Sequence, residues 1–177
     1  MSYTYDERKL IEALVYVASA LVSDPAGGAV KVNKALYYAD FGHMRAYRKP
    51  ITGAEYQKLP HGPAPRRLVP VRERLVEVGD VELRTETYLG RTMHRLVPRR
   101  EPNIDLFSAS EEELLAQAVE AVRHRSGNEV SDASHAEPGW QMVGEKETIP
   151  YETAFIRRSV VTEAVQQRIS ELAAARQ

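Results

Sequence analysis

Between positions 50 and 65 the chain carries Pro50, Gly53, Pro60, Gly62, Pro63 and Pro65. Proline fixes φ and lacks a backbone N–H, while glycine admits backbone angles closed to other residues, so no regular helix passes through this stretch. The helices on either side must pack around an irregular connection whose own residues set its shape. It reads as a shaped loop with one short strand near Glu55 to Leu59.

Helical patterning flanks the loop. Thr4 and Glu7 have capping-box spacing, which places a helix start near Thr4. Leu10, Leu14, Val17 and Leu21 then recur on one face, until Asp24-Pro25-Ala26-Gly27-Gly28 ends the pattern. A second helix is expected from about Val30 to Tyr47. Val32, Leu36, Ala39 and His43 form one stripe, and Asn33, Tyr37, Asp40, Met44 and Tyr47 form another. Two partly apolar stripes predict a helix covered on more than one side, central to the fold.

After the loop a third helix carries Leu68, Val71, Leu75 and Val78 on one face, with Pro70 either kinking it or marking its first turn. Val81 to Val97 alternates as a β-hairpin about a Leu89-Gly90 turn. A lone hairpin is marginal, so pairing with the strand near Glu55 to Leu59 is expected. Ser110 and Glu113 have capping-box spacing for the next helix, with Gly127 as its C-cap. A short helix follows near Glu129 to Ala136, then a break at Pro138 and another short piece from Trp140. Ile149-Pro150-Tyr151 is extended, and a last helix begins near Ser159, with Val161, Val165, Ile169 and Leu172 on one face. The fold class is α+β: one mostly helical domain over residues 1–177 with a small antiparallel sheet.

Composition narrows the function. The formal net charge is -1, against the basic excess of chains held to nucleic acid by overall electrostatics. There is no cysteine, which removes disulfides, thiolate zinc sites and cysteine nucleophiles, and which fits a reducing cytoplasm. The first residues lack the apolar run of a signal peptide, and no stretch has the length to span a bilayer. Arginine outnumbers lysine, a bias that points to a GC-rich bacterial source.

Lys31 to Pro65 reads KVNKALYYADFGHMRAYRKPITGAEYQKLPHGPAP. In this segment Lys34, Leu36, Tyr38, Asp40, His43, Pro50, Ile51, Thr52, Gly53, Tyr56, Leu59, Pro60, Gly62 and Pro63 fit a pattern that runs from K-L-x-Y-x-x-D-x-x-H through P-I-T-G to L-P-x-G-P. Further on, Ser131 to Trp140, with Ser134, His135, Pro138 and Trp140, fits S-x-x-S-H-x-x-P-x-W, and Ile149-Pro150-Tyr151 fits the segment after it. In these blocks the chain resembles the SocA-like, or Panacea, antitoxin family. The resemblance implies a protein encoded beside a small toxic protein that it suppresses by direct contact, and in one branch an adaptor that delivers the toxin to an ATP-dependent protease. It implies no cofactor, no metal and no catalytic step. The family's toxins are chemically unrelated, so the resemblance does not identify the partner.

The same residues admit plainer roles. Asp40 and His43, three apart on a helix, are expected to hydrogen-bond to each other, the carboxylate fixing the imidazole tautomer. Their alternative is half of a metal site, which underlies a second reading as a small hydrolase using Asp40, His43, His61 or His135 with a divalent metal. His61 stands either as a partner contact on a rigid loop or as a solvent-facing filler. Ser134 and His135, adjacent on a helix, point about 100° apart, too far apart for nucleophile and base; capping of the next turn or bonding to the Pro60 loop suits them better. Trp140 is expected to anchor the core. Arginine clusters at 66–67, 72–74, 99–100, 123–125 and 157–158 are expected at solvated element ends. Their convergence into one basic surface would favour a third reading, a nucleic-acid-binding regulator. The toxin contact is expected on the Pro50 to Pro65 loop and adjoining helix surfaces.

Overall fold

A computed structural model describes residues 3–156. The helix expected from Ser159 and the arginines at 157–158 lie outside the described residues.

The first helix, α1, spans Glu7–Leu21. Its N-cap is Asp6, whose carboxylate accepts from Lys9 N at 3.1 Å, not the Thr4–Glu7 box. The reason lies in the loop. Asp6 N donates to the Thr52 carbonyl at 2.8 Å, so the chain before Asp6 stays extended along that turn. Leu10, Leu14, Val17 and Leu21 are fully buried, as their spacing predicted.

Helix α2, Ala29–Tyr47, is central, packing against α1, two later helices and the segment around Tyr151. It ends at Arg48, which turns left-handed with φ 61° two residues before Pro50. The loop contributes two short strands, β1 (Tyr56–Gln57) and β2 (Ala64–Pro65). Helix α3, Leu68–Glu77, follows with Pro70 in its first turn, where its missing N–H costs nothing.

Strands β3 (Val81–Tyr88) and β4 (Arg91–Pro98) form the expected hairpin, from Val81 opposite Pro98 to Tyr88 opposite Arg91. Leu89 and Gly90 both take positive φ, 49° and 75°, the pattern that matches a two-residue turn to the twist of its strands. The hairpin does not pair with β1. Both edges of β1 are occupied, by β2 and by β5 (Thr148–Ile149), so it has no edge to offer. The hairpin packs instead on α1, α2 and α3.

Helix α4, Ala109–Val122, is capped by a Ser108–Glu111 box, not by Ser110–Glu113. Both pairs have the right spacing. Glu111 prevails because its carboxylate also binds Lys9 of α1, at 2.6 and 2.7 Å. Gly127 is not a C-cap: Arg123 caps α4, His124 takes the left-handed turn with φ 58°, and Gly127 opens helix α5, Gly127–His135. The short helix α6, Pro138–Gln141, and a 3-10 turn at Tyr151–Phe155 complete a mostly helical α+β architecture with small antiparallel sheets.

Candidate functional site

The loop is held from inside by one carboxylate. Asp40 is 1% exposed. Its Oδ1 accepts from Thr52 N at 2.7 Å, and its Oδ2 accepts from the Thr52 hydroxyl at 2.5 Å and the Tyr56 hydroxyl at 2.8 Å. The Thr52 hydroxyl in turn accepts from Ala54 N, and Tyr151 donates to the Ala54 carbonyl at 2.7 Å. Pro50 and Ile51 are buried beside them. Gly53 makes the turn with φ 65°, and a Cβ there would lie 2.3 Å from the Thr4 carbonyl oxygen. Burial raises the Asp40 carboxyl above its ordinary range, and the Thr52 and Tyr56 hydrogen bonds pull against that rise. Burial beside Asp40 also pushes both Tyr56 and Tyr151 well up, so their hydroxyls stay protonated. At the centre of the cluster is a buried acceptor around which residues 52–56 wrap.

Asp40 and His43 do not meet. His43 Nδ1 lies 2.6 Å from the Lys49 carbonyl oxygen, which can only accept, so Nδ1 carries a proton, and Nε2 lies 3.2 Å from the Ser110 hydroxyl. The imidazole also stacks on Tyr47. Spacing on α2 allows the pair, but Asp40 serves the loop while His43 serves the helix end and α4. Among the described residues no group of three or more His, Asp or Glu is placed to hold a metal ion.

The outer half of the loop is clamped by α5 and α6. Trp140 Nε1 donates to the Leu59 carbonyl at 3.2 Å, and the Ser131 hydroxyl donates to the His61 carbonyl at 3.2 Å. Trp140 is half-buried and packs against the hydrophobic core, with the His135 ring at 4.2 Å and the Lys58 ammonium at 4.0 Å on its ring, so it ties the loop to the core. Ser134 neither caps the next turn nor bonds the loop: its hydroxyl donates back to the Ser131 carbonyl at 2.7 Å. The His135 ring stacks on Trp140. Gly62, with φ 102°, lies against Ser134 and Lys34, and a Cβ there would come within 2.3 Å of the Ser134 hydroxyl. Lys34 itself is 1% exposed, and burial lowers its ammonium to about 7.

The apex left in solvent is short. Pro60 and His61 are exposed and Leu59 is half-buried, while Gly62, Pro63, Ala64 and Pro65 are covered. The remaining motif residue, Tyr38, lies at the far side of α2, in a groove with Tyr37, Phe41, Arg45 and Leu114. Most of the arginine clusters are engaged in ion pairs: Arg74 with Glu7, Arg99 with Glu82, Arg100 with Glu12 and Asp80, Arg123 with Glu120. They do not present a bare basic face. Sequence reasoning gave no role to Ser131 or Tyr151, which complete the clamp and the Asp40 cluster. Tyr151 had one signal, its place after Ile149-Pro150 in a matching block. Nor did the sequence reveal that His61 forms one wall of a cleft of about 510 Å³ between the hairpin tip and the starts of α2 and α5.

The family model described as antitoxin SocA-like, Panacea domain, matches residues 32–141, well over half of the chain. No curated protein and no solved structure matches it.

Proposed function

The chain belongs to the antitoxin SocA-like, Panacea-domain family, and from that premise we propose that it neutralises a cognate toxin, encoded nearby, by binding it directly. No chemical step on the toxin is needed. The bound toxin is either masked or handed to an ATP-dependent protease. A cytoplasmic setting is part of this reading and rests on the cysteine-free sequence. Among the described residues no helix is long and apolar enough to cross a membrane.

The observation that carries the proposal beyond family membership is the contrast within the loop. Its scaffold is buried and hydrogen-bonded through Asp40, Thr52, Tyr56 and Trp140, yet it ends in an exposed Pro60-His61 apex. A surface already fixed in one conformation loses little entropy on binding, which favours recognition of a rigid partner. We assign the toxin contact to Leu59, Pro60 and His61 and the surfaces beside them. The scaffold residues, Asp40 and His43 included, act on binding only by holding that surface.

The test is co-expression. The adjoining small open reading frame is induced alone and together with this chain, and both products are purified. Growth arrest when the neighbour is induced alone, relief when the two are induced together and a complex on size-exclusion chromatography are expected. A harmless neighbour, or arrest that persists despite soluble chain, overturns the reading.

A further inference from the structure

The cleft beside His61 is built from four separate segments. The hairpin tip supplies Arg91, Met93 and His94, the start of α5 supplies Asn128 and Ser131, the loop supplies His61, and the start of α2 forms the remaining wall. Its volume of about 510 Å³ suits a short peptide segment, not a whole folded surface.

Its charge is one-sided. Every ionisable group lining it is basic or neutral: His61, Arg91, His94 and Tyr88, with no carboxylate among them. The nearby acids are engaged within the protein. Asp24 is bound to Lys31 at 2.6 Å, Glu86 to Arg95 at 2.8 Å, and the Glu129 carboxylate folds back onto Ser126 N at 2.7 Å. Arg91 is exposed and, among the described residues, its guanidinium bonds the Asn128 side-chain oxygen at 3.3 Å and no carboxylate, whereas many arginines of this protein are held by carboxylates. The exposed rim is mostly polar, with one apolar point: Leu89, at the hairpin turn, is 82% exposed, and Met93 is half-buried. The start of α2, which has no side-chain cap, adds backbone N–H groups of the same sign.

We propose that this cleft receives an acidic, partly apolar segment of a partner polypeptide, with Arg91 and His61 meeting a carboxylate and Leu89 and Met93 packing on an adjacent apolar side chain. The inference rests on the antitoxin reading, since it names the chemistry of the toxin segment that the His61 apex meets. A guanidinium with two donors in line matches a carboxylate in a way that lysine does not. Opposite charge across a contact also speeds encounter and rejects neutral competitors.

The test has two arms. In the first, the full chain, isotopically labelled for NMR, is titrated with a short end-blocked peptide of alternating glutamate and leucine, with its glutamine-for-glutamate counterpart and with an oligouridylate. Shifts confined to residues 88–94, 126–131 and His61 are expected with the acidic peptide alone. Arg91→Glu is expected to weaken its binding at least about tenfold, while Arg8→Glu, at an exposed position on α1, leaves it unchanged. Equal binding of the glutamine peptide, shifts elsewhere, indifference to Arg91→Glu, or tighter seating of the oligouridylate in the cleft overturns the inference.

In the second arm the same variants are scored for rescue from the neighbouring gene product. Rescue by wild type and Arg91→Glu alike rejects the cleft and leaves the antitoxin reading standing. Failure of rescue by every form, with the acidic peptide still seated in the cleft, rejects the antitoxin reading and leaves the recognition of acidic segments standing.

Discussion

Lys34 lies in the second turn of α2, its side chain folded under Gly62 and Ser134. Burial without a carboxylate partner among the described residues lowers its ammonium to about 7, against ~10.4 in an unfolded chain. A lysine whose folded value is depressed binds its proton more weakly in the native state. Below about pH 7 the amine is charged in both states and the cost of burial is carried in full. As pH rises from about 7 towards about 10.4 the unfolded chain holds the extra proton, so native stability increases. One pKa unit corresponds to ~1.4 kcal/mol, which limits the gain to at most ~5 kcal/mol. Lys34→Met lacks the titrating group. Its urea midpoint is expected to equal or exceed wild type at about pH 6.5 and to lose that margin by about pH 10. A constant difference across that range contradicts the assignment. The sequence marked Lys34 only as part of a motif. What buries its amine is Gly62 in the loop and Ser134 in α5, both far along the chain, and helical spacing does not encode such contacts. The same limit explains Asp40 and His43: spacing says that two side chains can meet, not that Thr52 and Ser110 reach them first.

The hairpin shows what a local pattern does and does not carry. Alternation and Leu89-Gly90 placed its strands and its turn, because both signals lie within neighbouring residues. Its partner was not legible, because the edges of β1 are filled by β2 and by β5, and β5 lies far beyond the hairpin in the chain. What fastens the hairpin instead is Arg95. Its guanidinium donates to the Leu21, Val22, Asp24 and Pro25 carbonyls at and just beyond the end of α1, while Nε pairs with Glu86 at 2.8 Å. These carbonyls have no further helix turn to satisfy them, so the side chain acts as a C-cap supplied from another element. Arg95→Met keeps much of the apolar stem and removes every donor. A loss of about 1–3 kcal/mol is expected, the range for stripping partners from buried polar groups. Amide exchange in β3 and β4 is expected to accelerate more than in α2 and α4. Uniform acceleration, or an unchanged urea midpoint, contradicts the role of Arg95 as a local fastener.

At the scale of the whole molecule, the family-matched span contains only part of the core. Residues 32–141 exclude α1, whose Leu10, Leu14, Val17 and Leu21 are each 0% exposed, and exclude Ile149 and Tyr151, both buried against the loop. They also lose Lys9 and Glu12, which hold Glu111 and Arg100. Burying each of the four α1 side chains is worth ~1.5–3 kcal/mol, together comparable with the ~5–15 kcal/mol by which a domain of this kind is stable at all. The motif residues therefore shape and hold the loop, while α1, with no motif of its own, completes the core beneath it, and its apolar periodicity was the legible sign of that. A fragment spanning 32–141 is expected to show no cooperative urea transition by circular dichroism. The full chain is expected to unfold in one step, with tryptophan fluorescence at Trp140 and far-ultraviolet signal changing together. Because Trp140 reports on the loop clamp and the far-ultraviolet signal on the helices, separate midpoints would mean that the binding apex melts from its scaffold before the core does. The apex would then have to be ordered by its partner, and the argument that it is preformed would fall with it.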